Sequence, residues 1–409
     1  MIGRIGATYR AAFSGLPREV WLLATAMLIN RAGAMVLPFL ALFVRESRGM
    51  PASAVGAVML AWGLGSIAGA TLGGKLCGRM APLTVQRAAL GLSGCTFLLI
   101  PLTPAHVVPM AVAAFVASMS ADMFRPAIMV SVADAAPEAV RTRSMALIRL
   151  AANLGFATGP TIGGVLASFD YIWIFVGDAL TSWAACWFLW RWVRFPETTG
   201  PHGPEAPGAA ARRAAHHDLP FLGLLALMMV LTLALFQTFS TLPLYLRQDY
   251  GLAERTIGML LGMNGLIIAL FEMVLLRRIE HLPQLRVMSL GTFVLCAGLA
   301  LFPFGRGVAY AAVAMAVCTL GEMLSLPLST SLVALRAPAG ARGAYRGLYS
   351  AAFSVAFIVA PVVGIFVLEN FGGRTLWLGV GALGPVLAIA CRALERVFVP
   401  LGETSRTGV

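Results

Sequence analysis

Apolar residues run along this chain in windows of about twenty, the length a helix needs to cross a hydrocarbon layer roughly 30 Å thick. Such windows lie near residues 19–44, 53–74, 83–103, 107–133, 144–168, 171–193, 220–246, 254–276, 287–305, 307–333, 346–368 and 373–394. The pattern predicts an all-α integral membrane protein with twelve transmembrane helices in two six-helix halves, residues 1–193 and 220–409. Between them, the stretch 194–219 is polar and rich in proline, glycine and alanine, which makes it a flexible cytoplasmic linker. His202, His216 and His217 fall there and read as solvated linker residues rather than metal ligands.

The halves echo one another, and this makes them pseudo-symmetric. Pro126 and Pro160 stand 34 residues apart, as do Pro327 and Pro361, and the second proline of each pair opens P-x-x-G. The same offset of 201 places Arg141 on Arg342. In membrane transporters an internal repeat of this kind puts the substrate site between the halves near the midplane.

Composition agrees with the pattern. Hydrophobic residues make up 59% of the 409 residues and charged residues 12%, with a mean hydropathy of +0.84, values that exclude a water-soluble globular domain. A net charge of +12 raises the question of nucleic acid, and the placement of the charges answers it. With the N-terminus inside, only Arg45, Arg48, Arg247, Arg255, Arg306 and Arg374 fall on outer loops, so the excess of arginine is a topology signal that puts both termini in the cytoplasm and makes nucleic-acid binding an unlikely use of it. The six cysteines stand singly and read as packing residues. The first twenty residues are basic but lack a short apolar core with a cleavage site, so no removable signal peptide is expected.

The stretch "GFATGPTIGG", residues 155–164, abandons large side chains inside the fifth apolar window. It resembles the helix 5 antiporter motif of the major facilitator superfamily, in the bacterial drug:proton antiporter-like branch, at Gly155, Gly159, Pro160, Gly163 and Gly164. The loop "GGKLCGRMAPL" resembles that family's gating loop between helices 2 and 3, keeping Gly74, Leu76 and Arg79 but carrying Gly78 where an aspartate is usual. Asp134 resembles the acidic partner of the loop arginine, with a plain interfacial aspartate as the alternative. The resemblance implies the major facilitator fold, transport by alternating access in the bacterial cytoplasmic (inner) membrane, a proton gradient in place of any cofactor, no metal, and a chain acting as a monomer on a small-molecule substrate. Because Gly78 replaces the aspartate, the cytoplasmic latch must be weaker or built otherwise.

Ionisable groups at membrane depth cost several kcal/mol unless paired or wetted, so they are the informative residues. Arg31, beside Asn30, is too deep to snorkel and is placed either to bind an anionic substrate group, to act on a nearby carboxylate, or to form a permanent salt bridge between helices. Glu322 stands a little over one turn before Pro327 and is the leading proton carrier, against a packing hydrogen bond. Glu272 either relays protons or snorkels toward Arg277 and Arg278. Asp122 and Arg125, three apart, can pair on one helix face, and Arg125 also resembles a functional arginine of the family's helix 4. Phe236, Gln237 and Asn264 are candidate cavity lining. Asp178 and Arg149 are expected to fix packing.

These residues point to proton-coupled efflux of an amphipathic compound, cationic or neutral, with multidrug antiport as the type. The alternative is proton-coupled uptake of small zwitterions such as di- or tripeptides, although the E-x-x-E-R signature of that class has Met27 and Asn30 at its acidic positions. No nucleotide-binding loop or HExxH motif suggests an enzyme.

Overall fold

The computed structural model describes residues 13–194, 209–338 and 340–398, so most of the expected linker, including His202, lies outside the described residues. Among the described residues there is no strand. The membrane-spanning helices are α1 Arg18–Ser47, α2 Ala52–Cys77, α3 Pro82–Leu102, α4 Val107–Ala135, α5 Glu138–Phe169, α6 Ile172–Trp192, α7 Leu219–Ser240, α8 Glu254–Ile279, α9 Gln284–Phe304 and α10 Val308–Arg336. The last helical run, Arg342–Glu395, is 54 residues long, about 80 Å at the helical rise and more than two hydrocarbon thicknesses. Gly372, at φ 81°, breaks it into α11 (342–371) and α12 (373–395). Twelve membrane-length helices follow, at nearly the positions that the apolar windows predict. A short extra helix, Ala209–His217, precedes α7.

Three of these helices stop and restart, each with a proline in the first turn after the break, where its missing N–H costs nothing. α1 loses helical form at Gly33–Met35 and resumes at Val36 with Pro38. α4 turns at Met123 and resumes at Phe124 with Pro126. Past Thr241, α7 continues as Leu242–Gln248 with Pro243. Pro327, the repeat mate of Pro126, sits inside an unbroken α10.

The chain forms two compact units: unit 1 is Met1–Gly203 with Ala253–Leu270, and unit 2 is Pro204–Leu252 with Phe271–Val409. The first part of α8 therefore packs with unit 1. All six cysteines are free thiols.

Candidate functional site

In unit 1 the site is built around the break in α1. The first N–H groups of a restarted helix have no partner within it, and Asp178 of α6 meets this need, its Oδ2 accepting from the Val36 N–H at 3.3 Å. Asp178 is buried and structural, as its outer position in α6 suggests. Arg31 lies in the last turn before the break and is half-buried, as are Asn30 and Asp122, whereas Arg125 is exposed. Arg31 is close enough to Arg125, Asp122 and Asp178 to feel their charge. The expected Asp122–Arg125 pair does not form, nor does Arg31 enter an ion pair among the described residues. The turn at Met123 separates the two residues of that pair onto different helical pieces, which removes the i,i+3 geometry.

The glycines of α5 explain how α1 is held. A Cβ on Gly155 would lie 2.5 Å from Arg31 Cβ, and one on Gly159 would lie 3.1 Å from the Arg31 carbonyl oxygen and 3.2 Å from that of Ala34. Gly163 faces Met35. The smooth face therefore seats the broken turn of α1 inside the same unit. A second strip does reach α8: Gly164 stands against the Glu254 backbone, with room for a Cβ only 2.5 Å from its carbonyl oxygen, and Gly258 stands against the carbonyl of Pro160. Thr161 Oγ1 bonds the Ala157 carbonyl at 3.0 Å and reaches the Gly258 carbonyl at 3.5 Å. At the end of this seam Tyr171 donates to Glu254 Oε1 at 2.8 Å, a contact between buried Glu254 and the start of α6 that the sequence reading missed.

At the α2–α3 loop, Gly74, Arg79 and Asp134 are all exposed, and no ion pair joins Arg79 to Asp134 among the described residues. The first turns of α3 beyond the loop are held to α4 and to the end of α6. Gln86 Nε2 donates to Ser131 Oγ at 2.7 Å, and Arg87 donates to the Leu189 and Val193 carbonyls at 3.0 Å each.

Unit 2 carries the acids. Glu272 is buried and Glu322 half-buried, the latter one turn beyond Cys318. The fully buried Thr238 hydroxyl of α7 sits beside the Cys318 thiol. Thr238 and Cys318 were not singled out from the sequence. Gln237 is not a lining residue: its Nε2 donates to the Ala360 carbonyl at 2.8 Å and its Oε1 accepts from Thr241 Oγ1 at 2.7 Å, so both ends of the amide stitch α7 to α11. Asn264, expected to line a cavity, is buried in the part of α8 that belongs to unit 1. Phe236 of α7 packs edge-on to Phe353 at 5.2 Å and to Phe357 at 4.8 Å. A Y-x-x-x-F-x-x-x-F spacing from Tyr349 is the signal that could have found those partners.

At one end of unit 2 lies a buried ion pair. Asp218 caps α7 by accepting from the Phe221 N–H at 3.2 Å, and it holds Arg336 of α10 through two bonds of 2.8 and 2.7 Å while Tyr345 donates at 2.8 Å. Burial alone raises the Asp218 carboxyl, but the bonds from Arg336, Tyr345 and the Phe221 N–H outweigh it and hold the group below the usual carboxylate range. An aspartate immediately before "LPF" is a legible cap signal that the linker assignment passed over.

Relatives of this chain are membrane transporters. An uncharacterized MFS-type transporter of Bacillus subtilis (strain 168), YhjO, is 23% identical over 358 residues, 86% of each chain. A Na(+), Li(+), K(+)/H(+) antiporter of Planococcus maritimus is 26% identical over 353 residues, 78% of this chain and 81% of that one. Among solved structures, a POT family transporter in complex with a thioalcohol-conjugated peptide superposes with a TM-score of 0.81 at 13% identity, covering 95% of this chain and 98% of that one. The nucleoside transporter NupG gives 0.75 at 15%, covering 92% and 99%. These two likenesses establish the fold alone. The profile of the Major Facilitator Superfamily matches residues 22–361, and with twelve membrane-length helices the chain belongs to that superfamily, as a multi-pass membrane transporter and not an enzyme.

Proposed function

We propose that this transporter is proton-coupled, works by alternating access in the bacterial inner membrane with both termini cytoplasmic, and exports amphipathic small molecules by proton antiport. The observation that carries the reading is the pair of carboxyls Glu272 and Glu322 at membrane depth in unit 2, with Arg31 and Arg125 of unit 1 in no ion pair among the described residues. Carboxyls in helices at that depth are expensive unless paired or wetted, and in membrane proteins they mark proton and ion pathways. In this reading Glu322, with Glu272, takes a proton from outside and releases it inside, while substrate is held by other groups. The antiport of cations against protons by the Planococcus relative supports exchange over uniport.

The test follows internal pH in everted vesicles carrying a proton gradient. Ethidium, decanoate, Na(+) and K(+) are offered in turn to the wild type and to Glu322→Gln. At least one organic solute is expected to dissipate the gradient through the wild type and not through the variant. No dissipation by any of them, or equal dissipation by the variant, would remove proton antiport. Uptake of small zwitterions is the second reading, and it rests on Arg31 standing without an ion pair. Dipeptide accumulation driven by an inward proton gradient supports uptake, and its absence supports export.

A further inference from the structure

Unit 1 carries a one-sided groove of about 500 Å³ between α1 and α5, a volume within the range of small-molecule sites. Its walls are Trp21, Thr25 and Leu28 of α1 and Leu147, Leu150 and Leu154 of α5. The Thr25 hydroxyl is spent on the Trp21 carbonyl at 2.9 Å, so the walls present almost no free polar group. One end is closed by the turn at Phe13 and Ser14, where Arg143 donates to the Ser14 carbonyl at 2.6 Å. Trp21 and Leu28 are 46% and 36% exposed, so this apolar wall is open to an occupant.

The other end runs toward charge. Arg31 follows Leu28 by one helical turn, and Gly155, next to Leu154, brings bare α5 backbone against it. Four charged groups gather there: Arg31, Arg125, Asp122 and Asp178. Asp178 accepts from the N–H of Val36 at the restarted helix, and no ion pair among the described residues satisfies Arg31 or Arg125. An apolar trough of about 10 Å from Trp21 to Leu28, at the helical rise, that leads to two arginines without an ion pair among the described residues is complementary to a molecule with an apolar tail and an anionic head.

We propose that this groove is a substrate site for amphipathic organic anions, the tail lying along Trp21, Leu28, Leu150 and Leu154 and the carboxylate held by Arg31 and Arg125. The inference rests on the export reading above and gives it a substrate class, one of opposite charge to the cationic or neutral compound that the acids of unit 2 suggest. Arginine suits the head because its fork of donors matches a carboxylate.

Binding is measured without any proton gradient, so it reads the site independently of coupling. Full-length protein in phosphatidylcholine nanodiscs is titrated with radiolabelled decanoate by scintillation proximity, and unlabelled decanoate, decylamine and decanol compete. Saturable binding is expected, with decanoate outcompeting the amine and the alcohol by about tenfold or more, the effect of losing one charge-assisted contact. Arg31→Gln should weaken decanoate by a similar factor and leave decanol unchanged, while Arg31→Lys recovers part of the loss. Thr25→Trp, which fills the groove, should weaken all three at an unaltered melting temperature. Equal competition by decanoate and decanol, or an equal loss of both in Arg31→Gln, would overturn the proposal and make the groove a seat for a lipid chain. Absence of saturable decanoate binding would overturn it too. Decanoate that binds but does not dissipate the gradient contradicts the proton antiport reading alone.

Discussion

The contact of α1 with α5 and the contact of α7 with α11 occupy equivalent places in the repeat, and they are made in opposite ways. In unit 1 the helices meet backbone to backbone, with Gly155 and Gly159 lying under the broken turn of α1. In unit 2 they meet through side chains, with Gly364 making room for the Gln237 amide, which bonds Ala360 and Thr241. The buried Asp218–Arg336–Tyr345 cluster adds a charged anchor to unit 2, whereas the positions 201 residues earlier hold Pro17, Ala135 and Ser144, which cannot form one. A close glycine contact leaves nearby charge unspent, and a polar lock consumes it. In the proposed site this difference leaves Arg31 and Arg125 of unit 1 for a ligand, whereas Asp218, Arg336 and Gln237 of unit 2 serve packing.

The largest expected effect comes from closing the glycine contact. Gly159→Leu should leave a folded, membrane-inserted protein with transport abolished, since a side chain there must push the α1 carbonyls away; overpacking of this kind costs about 1–3 kcal/mol. Substrate flux in proteoliposomes reads it, and full activity in this variant would contradict a functional role for the seam.

Next in size is the anchor of unit 2. Asp218→Asn leaves Arg336 buried with a neutral partner, and losing one partner of a buried pair costs about 3–5 kcal/mol. Replacing both, as Asp218→Leu with Arg336→Met, should recover most of that loss in a thermal melt. The pH dependence has a definite sign. The folded Asp218 carboxyl lies below its ordinary value, about 3.9, so its stabilisation is complete above that value and is lost as the pH falls through the lower folded value. Wild type should therefore melt earlier below about pH 4, and Asp218→Asn should not show that part of the shift.

A smaller effect sharpens the same contrast. Gln237→Leu removes the stitch from α7 to α11 and should lower stability by roughly 1–2 kcal/mol with KM for the substrate unchanged. A changed KM at unaltered stability would return Gln237 to the cavity lining.

The spans were legible because hydropathy reads burial in lipid directly, and most ends agree to within a few residues. The start of α5 differs more, at Glu138 where the apolar window begins at 144, because its first turns, "EAVRTR", are helical yet polar. Helix breaks were not legible in hydropathy, which is blind to the backbone: Pro38 and Pro126 mark two of them, but Pro327 in the same kind of segment does not break its helix. For that reason the Asp122–Arg125 pairing failed while its spacing looked right. The partner of Gln237 lies 123 residues away and could not be read from sequence spacing. The glycine motif itself was legible; which helix it faces was not.

The central claim is that unit 2 carries the proton at Glu322 while the substrate is held elsewhere. Counterflow and gradient-driven flux, measured side by side in proteoliposomes of wild type and Glu322→Gln with one transported organic solute, test it most directly. The account predicts that the variant keeps exchange of labelled for unlabelled solute and loses accumulation driven by the proton gradient. Gradient-driven accumulation at the wild-type rate in Glu322→Gln would contradict it.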